Sequence, residues 1–487
     1  LRLEACIGGC VMTSRETIID YYADIMPDHE GWRQCLDTPL PTTFWVNTLK
    51  ISPDQCIALL KADGIEVEPM TWCEHGFRYF GDKQLGTTWQ YQIGLIHIQE
   101  EVSMLAGVLL NAKPHERVID LCSAPGGKTV QLACSMQNTG TVIANDRNMN
   151  RMSALSNTTK RLGLMNIAQT IYDATSYPRM RDVFDKVMCD VPCRCEGTLR
   201  KNIRKFVPPS REKSQQQART QYAILEKALQ LCKPGGEIIY STCTFAPEEN
   251  EAVVNRLLET HAGEVEVVSI HLSRPSLKGA SRDPISGSAN SATGSSNHLA
   301  PDQVRGRDAF NHSPGITQWQ GDAYHPDVAK AMRIWPQQNN TGGFFICKLR
   351  KQFTNNRAVA LAKAGVATTR APGLTQGLEK GNEQLAADPG STAGTQASSA
   401  PGLTRGPSAT VTESFQRFNI TPEQLTHTVF EHASSKGIYA TNSDMQLLEN
   451  LNYDVIGLFA LKTNMQFPKI STAFAPFLGA HATQNCL

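Results

Sequence analysis

Two cysteines stand out for the residues around them. Cys243 lies in "YSTCTF" (240–245), between two threonines and just after the Gly-Gly turn and apolar run of "KPGGEIIYSTCTF". Cys193 follows an aspartate and a proline in "DVPCRCEGTLRKN". Cysteine is intrinsically nucleophilic and partly ionised near neutrality, so it can attack carbon and form a covalent intermediate. A cysteine at a strand end is also commonly a buried core thiol. Taken alone, either cysteine allows both readings.

A third stretch, "VIDLCSAPGGKT" (118–129), runs from a strand through an aspartate and a small-residue loop into a helix. It has neither the G-x-G-x-x-G nor the G-x-x-x-x-G-K-[ST] spacing. The Gly126-Gly127 pair lets backbone approach a ligand at a helix amino end. The following strand regions end near Asp146, Asp173 and Asp190. Ligands bind outside the carboxyl ends of parallel sheets, where such acids share one crevice, and an acid there can accept from ribose hydroxyls. A single strand-terminal aspartate is often only a cap or turn former. Four of them with a glycine loop favour a nucleoside-type cofactor. S-adenosylmethionine fits best, because nothing resembles a phosphate cradle.

The elements that must carry these residues alternate. "RVIDLC", "GTVIAND", "FDKVMCDV" and "GGEIIYSTC" read as strands. "GGKTVQLACSM", "MNRMSALSNTTKRLG" (ending at Gly163) and "QQQARTQYAILEKALQLC" read as helices. This β-α-β-α order predicts an α/β fold with a doubly wound, mostly parallel sheet. The predicted organisation has an α/β lead-in over 1–110 and a catalytic domain over 111–275 and 313–352. Two disordered stretches are expected, 276–312 and 353–413, because Ser/Gly/Asn- and Ala/Gly/Thr/Pro-rich compositions bury too little apolar surface to order. A small α/β module is expected over 414–487. The net charge of +1 excludes a globally basic nucleic-acid coat but not local basic patches. The 14 cysteines show no small-domain framework, and no apolar run reaches membrane-span length. A protein of a reducing, intracellular compartment is expected: nucleus or cytoplasm if eukaryotic, cytoplasm if bacterial.

"LCSAPGGKT", "CDVPC…EGTLRKN" and "KPGGEIIYSTCTFAPEENEAVV", in this order, resemble the NSUN/Sun/RsmF family of RNA cytosine-5 methyltransferases. The resemblance covers roughly 30–270 and resumes in "TGGFFICKLRK" (341–351); "QEEVSMLAGVLLNAKPH" and "PGITQW" look closest to the eukaryotic, tRNA-modifying branch. It implies a Rossmann-like class I methyltransferase using S-adenosylmethionine, with RNA as partner: tRNA favoured, rRNA second. It implies Cys243 as nucleophile, Cys193 as the residue that aids release, and Asp190 touching both cofactor and base. The cofactor loop becomes Cys122, Ser123, Ala124, Pro125, Gly126, Gly127 and Lys128, with Asp146 on the ribose and Asp173 near the adenine. Lys128 is expected to orient the methyl donor or the base. The basic run beside the reaction loop, Arg200, Lys201, Arg204 and Lys205, is expected to meet phosphate, a solvated helix face being the alternative. The lead-in is expected to add RNA contacts, and 414–487 resembles a truncated PUA-like domain. A monomer is expected, with no membrane and no metal. The family commonly has Ser-Gly after the "PC" pair, where this chain has Arg194 and Cys195. A bulky arginine there is expected to crowd the pocket or contact phosphate. An RNA-binding relative without turnover is therefore a competing reading; a DNA-type enzyme, attacking with the "PC" cysteine, is disfavoured.

Overall fold

A computed structural model describes residues 16–201, 208–270, 272, 310–353, 428–434, 437–448, 451–462 and 469–470. The catalytic unit opens with helix α1 (Glu101–Leu110) and alternates through β1 (Arg117–Asp120), α2 (Gly127–Ser135), β2 (Thr141–Asn145), α3 (Met149–Leu162) and β3 (Ile167–Thr170). It continues with β4 (Phe184–Asp190), α4 (Arg211–Leu231), β5 (Cys232–Thr242), α5 (Glu251–Thr260) and β6 (Val265–Val267). Strands β7 (Ser313–Pro314), β8 (Met332–Ile334), β9 (Phe344–Lys351) and β10 (Tyr453–Ile456) complete a ten-stranded sheet. Its order is β7-β8-β9-β5-β4-β1-β2-β3-β10, with β6 also on β9. The five strands from β5 to β3 are mutually parallel, and β9 and β10 flank them antiparallel.

The near-continuous apolar strands reflect a sheet covered on both faces. Neighbouring residues alternate between two cores, as the strand repeat requires. Val118, Val142, Ile239 and Ile346 pack with α1, α2 and α3, while Ile119, Ile143, Ile238 and Phe345 pack with α4 and α5. Phe344 and Phe345 are thus core residues rather than a stacking surface. Helix α3 ends where expected, with Gly163 at φ 76 as its C-cap.

Two boundaries differ from the sequence expectation. Helix α1 lies within the predicted lead-in, yet Val102, Leu105 and Leu110 share a core with Val118 and Val130. The same core takes in Trp45, Met70 and Trp72 of the N-terminal lobe, so α1 packs against both. That lobe is a four-stranded antiparallel sheet of Thr42–Val46, Glu68–Pro69, Gly76–Tyr79 and Ile96–Ile98. In the C-terminal segment the strands Thr428–Ser434, Gly437–Asn442, Leu458–Lys462 and Lys469–Ile470 form a sheet of their own, while β10 joins the catalytic sheet at β3. The predicted disordered stretches fall outside the described residues, apart from 310–312 and Phe353. Among the described residues, no helix is long and apolar enough to cross a membrane.

A buried ion pair fastens β8 to α5. Arg333 donates from Nε and Nη2 to the two Glu251 carboxylate oxygens at 2.5 Å each, and from Nη1 to the Phe245 carbonyl at 2.9 Å. Removing one partner of a buried pair leaves an uncompensated charge. Arg333→Met should cost about 3–5 kcal/mol. Equilibrium urea unfolding followed by tryptophan fluorescence checks this, with the Arg333→Met/Glu251→Leu double variant expected to recover much of the loss.

Candidate active site

The loop after β1 is built by side chains folding back on it. Asp120 Oδ1 accepts from the Cys122 amide at 3.3 Å, and Oδ2 accepts from Thr129 Oγ1 at 2.7 Å. Burial pushes the Asp120 carboxyl up to about 7. Asp146, just past β2, accepts from the Ala124 amide at 3.2 Å and the Asn148 amide at 2.9 Å. Gly126 sits at φ +112, and a Cβ there would lie 2.5 Å from Leu155 Cδ1. Glycine is thus required both by conformation and by the approach of α3.

A cavity of about 380 Å³ opens at the carboxyl ends of the parallel strands. Cys122, Ala124, Pro125, Asp146, Asp173, Asp190, Cys193 and Cys243 line it. Ser123, Gly126, Gly127 and Lys128 do not; they shape the loop from behind. Asp173 caps a short 3-10 turn and accepts from the Thr175 amide and hydroxyl.

Lys128 reaches across to the end of β4. Its Nζ donates to Asp190 Oδ2 at 2.8 Å and to Ser103 Oγ at 2.9 Å, while Ser241 Oγ donates to Asp190 Oδ1 at 2.8 Å. Burial alone would lower the Lys128 pKa, but the Asp190 carboxylate outweighs it and keeps the ammonium charged. Lys128 therefore holds Asp190 in place.

Parallel pairing of β4 with β5 sets Asp190 opposite Ser241 and delivers both cysteines just beyond. Cys193 Sγ lies 3.3 Å from Cys243 Sγ and 3.3 Å from the Cys243 amide nitrogen. Glu196 secures the loop from below, accepting from Thr244 Oγ1 at 2.5 Å, the Phe245 amide at 3.2 Å and the Tyr22 hydroxyl at 3.1 Å. Gly197 donates to the Cys243 carbonyl at 2.9 Å and accepts from Gly343 at 2.9 Å. A Cβ on Gly197 would meet the Gly343 carbonyl oxygen at 2.3 Å.

Cys195 joins the pair, with its Sγ 3.9 Å from that of Cys193. Three thiols this close titrate together. The Cys193 and Cys243 S–H groups favour a thiolate on Cys195 and draw it down to about 3. Contact with Cys195 and then Cys243, followed by burial, raises Cys193. For Cys243 the Cys193 thiol lowers the pKa, but Cys195 and burial outweigh it and hold it high.

A profile described as 16S rRNA methyltransferase RsmB/F matches residues 107–350, and one for the N-terminal domain of 16S rRNA methyltransferase RsmF matches 16–101. The chain is 32% identical over 336 residues to the tRNA (cytosine(49)-C(5))-methyltransferase of Pyrococcus abyssi, covering 69% of this chain and 95% of that protein. The chain belongs to the RsmB/F methyltransferase family. Its cofactor is S-adenosylmethionine. The ribosomal RNA small subunit methyltransferase F of Erwinia tasmaniensis is 34% identical, over 51% of this chain and 54% of its own length. The chain thus spans about half of that relative. A methyltransferase homolog protein from Pyrococcus horikoshii superposes with a TM-score of 0.55 at 29% identity, over 69% of this chain and 94% of the other.

The cavity fits the RsmB/F cofactor in kind: its size suits a small molecule, and its carboxylates suit hydroxyls and a cationic sulfonium. Two sequence expectations about arginines are corrected. Arg194 does not line the cavity; it donates to the Pro208 carbonyl at 2.5 Å and lies 3.8 Å from Glu196. It does not crowd the pocket. Arg200 is committed to protein acceptors: the carbonyls of Thr341, Thr38 and Pro39 and the Asn340 Oδ1, at 2.7–3.2 Å. It ties the N-terminal lobe to the β9 entry. Lys201 is exposed, whereas Arg204 and Lys205 fall outside the described residues. The sequence reading missed Ser103, Ser241, Arg151 and Cys195. Arg151 lines the cavity and lies 3.6 Å from Asp146. Only Cys195, two residues from Cys193, carried a visible signal.

Arg200→Met should lower stability by about 1–3 kcal/mol, because buried carbonyl acceptors lose their donor. A thermal melt beside Lys201→Ala, expected to melt like the wild type, checks it.

Proposed function

We propose that this chain, an S-adenosylmethionine-dependent RNA cytosine-5 methyltransferase by family, acts on transfer RNA through a covalent bond between Cys243 and the target cytosine. The observation that carries the mechanism is the 3.3 Å approach of the Cys193 and Cys243 sulfurs beside Asp190. The tRNA preference is supported by the match to the archaeal tRNA enzyme, which runs over 95% of that protein.

Carbon 5 of cytosine is a poor nucleophile. Addition of the Cys243 thiolate to carbon 6 makes carbon 5 enamine-like and able to take a methyl group. S-adenosylmethionine, when bound, supplies that methyl as an electrophile. Cys243 becomes a thiolate by giving up its proton through its contact with Cys193. Asp190, fixed by Lys128 and Ser241, delivers a proton to ring nitrogen 3 as negative charge develops there, and the Lys128 ammonium stabilises the carboxylate that this leaves. Cys193, a thiolate once its own proton has passed to solvent, then takes the carbon 5 proton; the carbon 6–sulfur bond breaks with its electron pair returning to Cys243, and the methylated base leaves. The two reacting carbons are adjacent, so attack and proton removal require two groups as close as these sulfurs. Asp146 and Asp173 serve the ribose and adenine ends of the cofactor. The base must be unstacked to present its face, which favours loops and junctions. The exposed Lys201, beside the reaction loop in sequence, supplies phosphate attraction. Every residue in the scheme comes from one chain, in keeping with a monomer. Free thiols and an RNA substrate suit the nucleus or cytoplasm.

Asp146→Ala should weaken S-adenosylmethionine binding about tenfold or more, from loss of charge-assisted hydrogen bonds; calorimetric titration measures it. Cys193→Ala, mixed with S-adenosylmethionine and unmodified tRNA, should give a protein–RNA band that survives a denaturing gel. Replacing Cys243 as well should remove the band. An adduct with ribosomal RNA alone would reassign the substrate. No adduct with either RNA, together with no methyl transfer by the wild type, would overturn the catalytic reading in favour of an RNA-binding relative without turnover.

A further inference from the structure

The reaction uses Cys193 and Cys243 but gives Cys195 no task. Yet Cys195 occupies a demanding position. Its backbone lies at φ +63, the left-handed region. Glycine enters that region freely, whereas an L-residue is disfavoured there. Strain of this kind collects at functional sites. The conformation holds Cys195 Sγ 3.3 Å from the Cys193 carbonyl oxygen and beside the other two sulfurs.

We propose that Cys193, Cys195 and Cys243 form a three-sulfur site for a thiophilic metal ion of the zinc class, and that the bound ion competes with the cytosine for the nucleophile. Zinc–sulfur bonds of about 2.3 Å at tetrahedral angles place sulfurs roughly 3.8 Å apart. Here two separations are 3.3 and 3.9 Å, and all three sulfurs lie within 4.8 Å of one another. Soft thiolates select this class of ion over magnesium or calcium. Binding releases the thiol protons and changes no oxidation state. Two ligands come from one loop and the third from the end of β5, joined by the hydrogen bond from Gly197 to the Cys243 carbonyl. All three border the cavity, which leaves the fourth coordination position open to water.

By position in the chain Cys189 stands nearest to Cys193 and Cys195. Cys189 is fully buried in β4 and unavailable. Its place is taken by Cys243, fifty residues further on.

The full chain, reduced and freed of metal with a chelator, tests the site. Cadmium is titrated to read the sulfur-to-metal absorbance, and zinc is titrated against a chromophoric chelator. Wild type and Cys122→Ser are expected to show the band and to bind one zinc ion tightly. Cys195→Ser and Cys195→Gly should lose most of the band and at least about tenfold in zinc affinity. Cys195→Gly relieves the strained φ, so it keeps the test valid even where serine unsettles the loop. Unchanged affinity in both Cys195 variants, or no band in the wild type, overturns the site. Competition is read separately, and this half alone rests on Cys243 being the nucleophile. Stoichiometric zinc should halt wild-type methyl transfer, chelator should restore it, and each Cys195 variant that turns over should need at least tenfold more zinc. Binding without inhibition overturns the competition. Absent methyl transfer in metal-free wild type instead overturns the catalytic reading and leaves the binding result standing.

Discussion

The parallel register of β4 against β5 is the constraint on which the reaction centre depends. Hydrogen bonds between the strands align Cys189 with Tyr240 and Asp190 with Ser241. Chains leaving two parallel neighbours at the same level emerge side by side. Residues fifty positions apart in sequence thus arrive within sulfur–sulfur contact, with no local motif linking them. A slip of one residue would exchange the faces of every side chain on β5. It would turn Ser241 away from Asp190 and drive Tyr240 out of its core.

That register is defended from several sides. Arg333 and Glu251 anchor the segment after Cys243, because Arg333 also holds the Phe245 carbonyl. Glu196 collects three donors from that segment and from the N-terminal lobe. Lys128 arrives from the opposite core and fixes Asp190. Its other partner, Ser103, belongs to α1, which explains why α1 packs as part of the catalytic unit. The acids and bases of the centre are thus neutralised largely within the protein. The cavity keeps its shape from both faces of the sheet.

Much of this was legible in the chain. Buried parallel strands declare themselves as apolar runs, and Gly126, Gly163 and the strand-end aspartates mark where those runs stop. The alternation that predicted a doubly wound sheet is what the structure contains. What stayed hidden shares one physical character: it depends on partners without a sequence signature. Arg200 looked like a phosphate ligand because its basic neighbours were visible and its carbonyl acceptors at Thr38 and Thr341 were not. Arg194 looked obstructive because only its size could be read, not the direction imposed by the Pro208 carbonyl and Glu196. The edge pairing of β10 joins segments nearly three hundred residues apart, across a stretch of low apolar content.

That edge pairing bears on how the catalytic fold can be isolated. Antiparallel β10 covers the outer edge of β3, with Tyr453 opposite Thr170 and Ile456 opposite Ala168. Asp444 accepts from the Gly140 amide at 2.8 Å, and Asn442 donates to the Asn138 and Gly140 carbonyls. An excision ending at Phe353, where the sequence changes character, keeps every residue of the reaction centre. It also strips β3 of its neighbour and leaves a row of unpaired backbone groups, the template on which sheets join edge to edge. In the full chain β10 covers that edge, so the outer boundary of the catalytic sheet is set by a segment a hundred residues past Phe353.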